Sequence, residues 1–310
     1  MNNVIEIKFP HYTLVSIANP SSLELDDVGR RWELDALDRE ELAENAKRTR
    51  LNVNAHYGLL VTLWPTYRRS HKDIRSIELN FLIRPDALVV LQRGTLPVYG
   101  DLLQRYQSSS ELRLRNQDRT PERLLYEILH HLYSTLFPMI DHLIEDCDTI
   151  EMEIFASHER QMISQILSIR RNITDVRHIL QVHKNVLKRL LAYLTENPKF
   201  AMQSSDRYFI SLLDTVKEEW DTLENLKERI EALQQTNESQ ISFRLSDIMK
   251  TLTIISVFTF PLTLVATIFS MGLTSGMPFL HTPGNFWYAT GILAAVAGAM
   301  LLAFKGKRWF

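Results

Sequence analysis

Residues 251–304 contain no Asp, Glu, Lys or Arg, and His281 is their only basic side chain. A stretch of this length without charge belongs either in a protein interior or in a lipid bilayer. Crossing the hydrocarbon core takes roughly 20 apolar residues. The stretch supplies two such runs, residues 251–273 ("TLTIISVFTFPLTLVATIFSMGL") and residues 286–304 ("FWYATGILAAVAGAMLLAF"), joined by residues 274–285. Burying both in a soluble core would take a much larger partner domain, so the pattern predicts two transmembrane helices. Phe286, Trp287 and Tyr288 stand at one end of the second run, where amphipathic rings favour the membrane interface. Lys250 precedes the first run, and Lys305, Lys307 and Arg308 in the tail 305–310 follow the second. Under the positive-inside tendency both charged flanks face the cytoplasm, which leaves the turn "LTSGMPFLHTPGN" outside. Gly291, Gly298 and several alanines give the second run a small-residue face suited to close helix packing in lipid. The start "MNNVIEIKFP" lacks the basic residues and apolar run of a targeting segment, so the N-terminal bulk is expected in the cytoplasm. The expected location is the cell inner (cytoplasmic) membrane.

Almost all the charge lies before residue 251. The formal net charge of the 310 residues is only -2, which argues against a nucleic-acid partner. Up to about residue 110 the alternating segments "VIEIKF", "YGLLVTLWP", "IRSIELNFLI" and "ALVVLQ" predict strands, and "DREELAENAKR" predicts a helix. Pro121 is well placed to open a helix after Thr120, and the helical pattern continues through Tyr193. The loop "TENPKFAMQSS" precedes a last helical run from about Asp206. That run meets no proline or glycine until Pro261 and can continue into the membrane, which at 1.5 Å per residue makes it roughly 90 Å long. A helix of that length needs lateral partners. The expected organisation is an α+β cytoplasmic domain (1–115), a helical hairpin (116–200), a stalk helix (201–250) and the two spans.

Along the first span Ser246, Met249, Thr253, Ser256, Phe260, Thr263, Thr267 and Ser270 recur at alternating steps of three and four. This spacing keeps one face turned towards a common axis when helices associate. Six of the eight carry hydroxyls. Such hydroxyls can bond back to their own backbone, or they can line a wetted path. Two helices cannot enclose a path, so wetting requires several copies around a symmetry axis. Met249 and Phe260 are the bulky apolar members, suited to constrictions that gate by dewetting. Pro261 removes a backbone donor within the same helix.

Other candidate chemistry is thin. Glu145, Asp146, Asp148, Glu151 and Glu153 have the oxygen ligands that a hard cation takes, or they form solvated helix surface. His130, His131 and His142 raise zinc, but adjacent histidines on a helix point to different sides. Cys147 is the single cysteine, so no thiolate cluster or internal disulfide is available. No phosphate-binding loop or nucleophile motif is present, and no catalytic residue or bound cofactor is assigned.

The segment "LSDIMKTLTIISVFTFPLTLVATIFSMG", the strand pair "IELNFLIRPDALVVLQRGTLP", the helical "IEMEIF" and the basic tail resemble the CorA-type divalent-cation transporter superfamily over most of the chain. The resemblance implies a funnel-shaped homopentamer in the lipid bilayer, with five first spans lining a pore for magnesium moved passively down its gradient. The family's Gly-Met-Asn triplet at the external mouth falls on Ser270, Met271 and Gly272. Only Met271 is retained, and Ser270 or Thr274 would have to supply the oxygen that the asparagine offers in the family. Ser246 stands where a gate asparagine is usual, and Met249 is kept. The external loop has no acid, and the family's stalk "YFRD" reads Tyr208, Phe209, Ile210, Ser211. A zinc transporter of the same superfamily, with or without proton coupling, and a membrane scaffold that has lost conduction are the alternative readings.

Overall fold

Strands form where β-branched and aliphatic residues alternate between two covered faces. The computed structural model describes residues 3–68, 70–71, 73–108, 120–156, 159–200, 206–270 and 285–306. β1 (Val4–Lys8), β2 (Thr13–Ala18), β3 (Arg50–Val53), β4 (Gly58–Arg68), β5 (Asp73–Ile83) and β6 (Ala87–Arg93) form one sheet in the order β1-β2-β6-β5-β4-β3. β2 and β6 run parallel, with Thr13 opposite Ala87, and every other pairing is antiparallel. The expected strands are present; β2 and β3 are additional. β2 hides a polar residue in its interior, where Ser16 accepts a 2.9 Å hydrogen bond from the Tyr99 hydroxyl. β3 has only four residues, too few for a period to be read.

β6 shows why "ALVVLQ" is apolar almost throughout. Leu88 and Val90 belong to one core, and Ala87, Val89 and Leu91 belong to the other. A strand covered on both faces reads as a continuous apolar run. The smaller core is closed by α1 (Ser22–Arg31), α2 (Ala36–Ala43) and the turn between them, through Val28, Trp32, Leu34 and Leu42. Ser21 and Glu24 form a capping box that starts α1, satisfying two orphan backbone donors reciprocally. Pro65 fits within β4 because β3 pairs only with residues Gly58 to Val61 of that strand. The second half of β4 is therefore a sheet edge, where a missing N–H is tolerated.

The expected helix at "DREELAENAKR" is corrected to α2, which stops at Ala43. Beyond it the Ala46 N–H donates to Glu78 Oε2 at 2.7 Å, and Arg93 donates to Asn45 Oδ1 at 2.8 Å. These contacts take the backbone out of the helix and into β3.

The larger core lies on the opposite face of the sheet. It joins α3 (Pro97–Ser108), α4 (Pro121–Ser134), α5 (Leu136–Phe155), α6 (Glu159–Leu180), α7 (His183–Glu196) and the first half of α8 (Asp206–Ser270). The helical pattern after Pro121 is thus divided into four helices. The first break is at Thr135, whose hydroxyl turns back to the Leu132 carbonyl at 2.7 Å. Residues that the pattern sets apart at 115 and 200 share this core, and the compact unit runs Met1–Asn237. The second unit is Glu238–Phe310, containing the second half of α8 and α9 (Asn285–Gly306). α8 has 65 residues and passes through Pro261 as helix.

Candidate pore-lining face

In the second unit the apolar side chains point outward. Leu252, Ile255, Leu264 and Leu302 are exposed, as are Trp287 and Tyr288. α8 contains an 18-residue window of mean hydropathy 1.9, none of it buried. In α9 the apolar stretch is Phe286–Leu302, within a helix of 22 residues. At 1.5 Å per residue a helix of that length reaches about 33 Å, enough for a bilayer core.

On α8 the expected stripe is laid out as one surface. Ser246, Met249, Thr253, Phe260, Thr263, Thr267 and Ser270 are exposed, and Ser256 is half-buried. Phe260 is 72% and Met249 56% exposed, so both bulky members are largely uncovered within one copy. The threonine hydroxyls do bond back along the helix: Thr253 to the Met249 carbonyl at 2.7 Å, Thr263 to Thr259 at 2.8 Å and Thr267 to Thr263 at 2.7 Å. The two readings of the hydroxyls are therefore compatible. A hydroxyl has one proton and two lone pairs. Once its proton is committed to the backbone it faces outward only as an acceptor, the polarity that a cation requires.

The structure brings Thr263, Thr267 and Ser270 together. With Leu262, Ala266 and Leu293 of α9 they line an open groove of about 540 Å³. Met249, Ser246 and Phe260 lie elsewhere along the same helix. Met271, Gly272, Thr274 and His281 lie outside the described residues. At Pro261 the ring removes the N–H that would meet the Val257 carbonyl, which leaves that oxygen without its i+4 donor.

A model of the family described as CorA-like Mg2+ transporter protein matches residues 11–308. The chain belongs to this family. Among CorA-like proteins, the cobalt/magnesium transport protein CorA of Thermotoga maritima is 21% identical over 282 residues, 91% of this chain and 78% of that one. The divalent cation transporter CmaX of Pseudomonas aeruginosa is 23% identical over 224 residues, 72% of this chain and 64% of that one. The complete structure of the CorA magnesium transporter from Methanocaldococcus jannaschii superposes with a TM-score of 0.81 at 17% identity, covering 98% of this chain and 94% of that one. The architecture is shared: an α+β domain, a long helix and a C-terminal helix pair.

Against the CorA-like fold the remaining sequence candidates take structural roles. Arg229 bridges Asp148 and Glu151 at 2.6 Å each, so two members of the acidic set hold α8 to α5. His142 meets Glu145 at 3.3 Å on the surface, and His130 stacks on Tyr126. Among the described residues no three His, Cys, Asp or Glu side chains converge as a metal site. Cys147 is buried, and desolvation pushes its thiol up to about 11. A cluster that the pattern did not signal surrounds His183. Tyr133 meets its Nδ1 at 2.7 Å and Thr49 its Nε2 at 3.0 Å, with the ring against Trp64. Burial lowers this imidazole to about 4, so it is neutral near neutrality.

Proposed function

We propose that this chain is a divalent-cation transporter, most directly for magnesium, moving the ion passively through a pore enclosed by several copies. The carrying observation is the outward stripe on α8, where three threonine hydroxyls have spent their protons on backbone carbonyls and present lone pairs. Family membership and the names of the CorA-like relatives support the same reading. The membrane field is sufficient, since about 2.3 kcal/mol per elementary charge per 100 mV favours entry of a double charge. Oxygen dipoles without fixed charge can select and pass an ion, and α8 carries no charged residue beyond Lys250.

The assembly in this reading is a funnel-shaped homopentamer in the cytoplasmic membrane with both termini inside, α8 around the axis and α9 towards lipid. Ser246, Met249, Ser256, Phe260, Thr263 and Thr267 line the path, with Met249 and Phe260 as apolar rings. Ser270, Met271 and Gly272 form the mouth. Gly272 offers no side-chain oxygen to the water shell that magnesium gives up reluctantly, so capture is weak and discrimination among divalent ions poor. Purified protein in liposomes with ion-sensitive dyes tests the reading. Magnesium entry without proton movement is expected. Zinc entry with proton movement would replace magnesium by the zinc reading, and no flux of either ion would leave a scaffold.

A further inference from the structure

α8 joins the core of the first unit through Phe209, Leu212, Val216, Leu223, Leu226 and Ile230, all buried and at helical spacing. One position in that series is a carboxylic acid. Glu219 lies between Val216 and Leu223, is 1% exposed, and has no hydrogen-bond partner on either carboxyl oxygen among the described residues. No cation hydrogen-bonds either oxygen among the described residues. Arg177 is paired with Glu224 and stands 5.5 Å from the Trp220 ring. Arg229 is held by Asp148 and Glu151, and Arg123 lies over the Tyr208 ring at 3.4 Å.

An ionised carboxylate in such a seam has neither water nor a counter-charge, so burial favours its neutral form. Desolvation, and then the charge of Glu218, push Glu219 up to about 8. From α4 the phenol of Tyr133 feels the Glu219 charge; burial first, and that charge second, hold it protonated. Behind Tyr133 stands the neutral His183 of α7. From α5 come Asp148 and Glu151, paired with Arg229, and from α6 comes Arg177, paired with Glu224 of α8 itself. A leucine at 219 would pack the seam without penalty, because replacing a buried charge by an apolar residue of similar volume is commonly neutral or stabilising. The distinctive property of glutamate there is that it can gain and lose a proton.

We propose that Glu219 is a proton-binding site that keeps α8 packed in the helical layer of the first unit while protonated and loosens that packing when the proton leaves. The sign follows from linkage. The folded-state pKa lies above the unfolded value of 4.5, so the stabilisation is complete below about pH 4.5 and is lost as pH rises through about 8. The proton is the ligand, and the working window covers neutral to mildly alkaline pH. Because α8 is one helix from Asp206 to Ser270, the same helix carries the titrating acid and the candidate pore face. Any effect on flux rests on the transport reading, whereas the proton site itself does not.

The test uses the full chain in detergent. Amide hydrogen exchange of residues 206–237, corrected for the intrinsic rate, is expected to rise about tenfold or more between about pH 6.5 and about pH 9 in the wild type and to stay flat in Glu219→Gln. Glu219→Leu should also be flat and at least as protected. Infrared difference spectra of the wild type should contain a buried protonated-carboxyl band that disappears with a midpoint near pH 8 and is missing from both variants. Identical exchange profiles in wild type and Glu219→Leu, or a Glu219 carboxyl already ionised at about pH 6.5, would overturn the proposal. In magnesium-loaded liposomes, flux through the wild type should change across the same pH interval and flux through Glu219→Gln should not. If neither protein conducts, the transport reading fails, while the exchange and infrared results still decide the proton site.

Discussion

The two units use apolar residues in opposite ways. In Met1–Asn237 they are turned inward onto a sheet covered on both faces, with Leu59, Leu60, Phe81 and Leu129 all at 0% exposure. In Glu238–Phe310 residues of the same type are turned outward, with Phe260 at 72% and Leu302 at 73%. Water alone could not tolerate the second arrangement, because contiguous exposed apolar surface drives association or membrane insertion. The lesson is that hydrophobicity determines a surface only together with the solvent it meets. The first unit builds its own interior, and the second takes lipid and further copies of itself as its surroundings.

Truncating one large apolar side chain in each unit should give the largest contrast between them. Leu129→Ala removes a fully buried side chain from the larger core and should lower the unfolding free energy of the first unit by about 3 kcal/mol. Phe260→Ala removes a larger side chain from the second unit and should shift the same transition by less than about 0.5 kcal/mol, as for surface changes. Denaturant unfolding in detergent, followed by tryptophan fluorescence, reads both. Equal losses would show that α8 is packed as a core element within one copy.

The second expected effect is on flux. Replacing Met249 or Phe260 with glycine should raise ion leak several-fold by relieving dewetting at an apolar ring. A helix-interior glycine destabilises by about 1 kcal/mol, so leak is compared at matched assembly. Unchanged leak in both variants would remove the stripe from the pore.

A third outcome concerns pH in the first unit. His183 is depressed from 6.5 to about 4, so its stabilisation is full above pH 6.5 and is lost as pH falls towards 4. Taken alone this amounts to about 2 kcal/mol by pH 5. Glu219 works in the opposite direction over the overlapping interval. Wild-type stability should therefore be nearly level between about pH 5 and about pH 6.5, and Glu219→Gln should uncover the acid loss. A level profile in Glu219→Gln would show that His183 charges without penalty.

The smallest effect is expected at Arg229, which with Asp148 and Glu151 is partly solvent-exposed. After discounting for screening, Arg229→Met should cost less than about 1 kcal/mol and leave flux unchanged. A large loss of flux would return the acidic set to consideration as an ion site.

How much was legible in the sequence follows the same division. Both spans could be read because lipid demands long uncharged runs, and the stripe because a three-and-four spacing survives on any straight helix. β5 could be read from its alternation and β6 from its continuous apolar run. β2 was hidden by Ser16, whose polarity is answered by a hydroxyl 83 positions away, and the end of α2 depends on Glu78 and Arg93 from distant strands. Glu219 had a visible signal, an acid on the apolar seam of α8, but only the packed structure shows that it lacks a partner. At the end of α8, Ser270 falls within the groove that also holds Thr263 and Thr267, a meeting with Leu293 that linear spacing cannot express.

The order of the strands also constrains how the chain is made. β2 waits for β6, since Thr13 pairs with Ala87, so synthesis must deliver β3, β4 and β5 as local hairpins before the N-terminal pair has an edge to join. Non-local pairings of this kind close late. Even then the helical layer over one face of the sheet stays incomplete until Phe209 to Leu233 arrive, and those residues share a helix with the first membrane segment. Completion of the water-soluble core and delivery of the chain to the bilayer therefore fall close together on the ribosome. A delay in membrane engagement would leave both an unfinished apolar face and an uncovered span in water, the state most prone to aggregation.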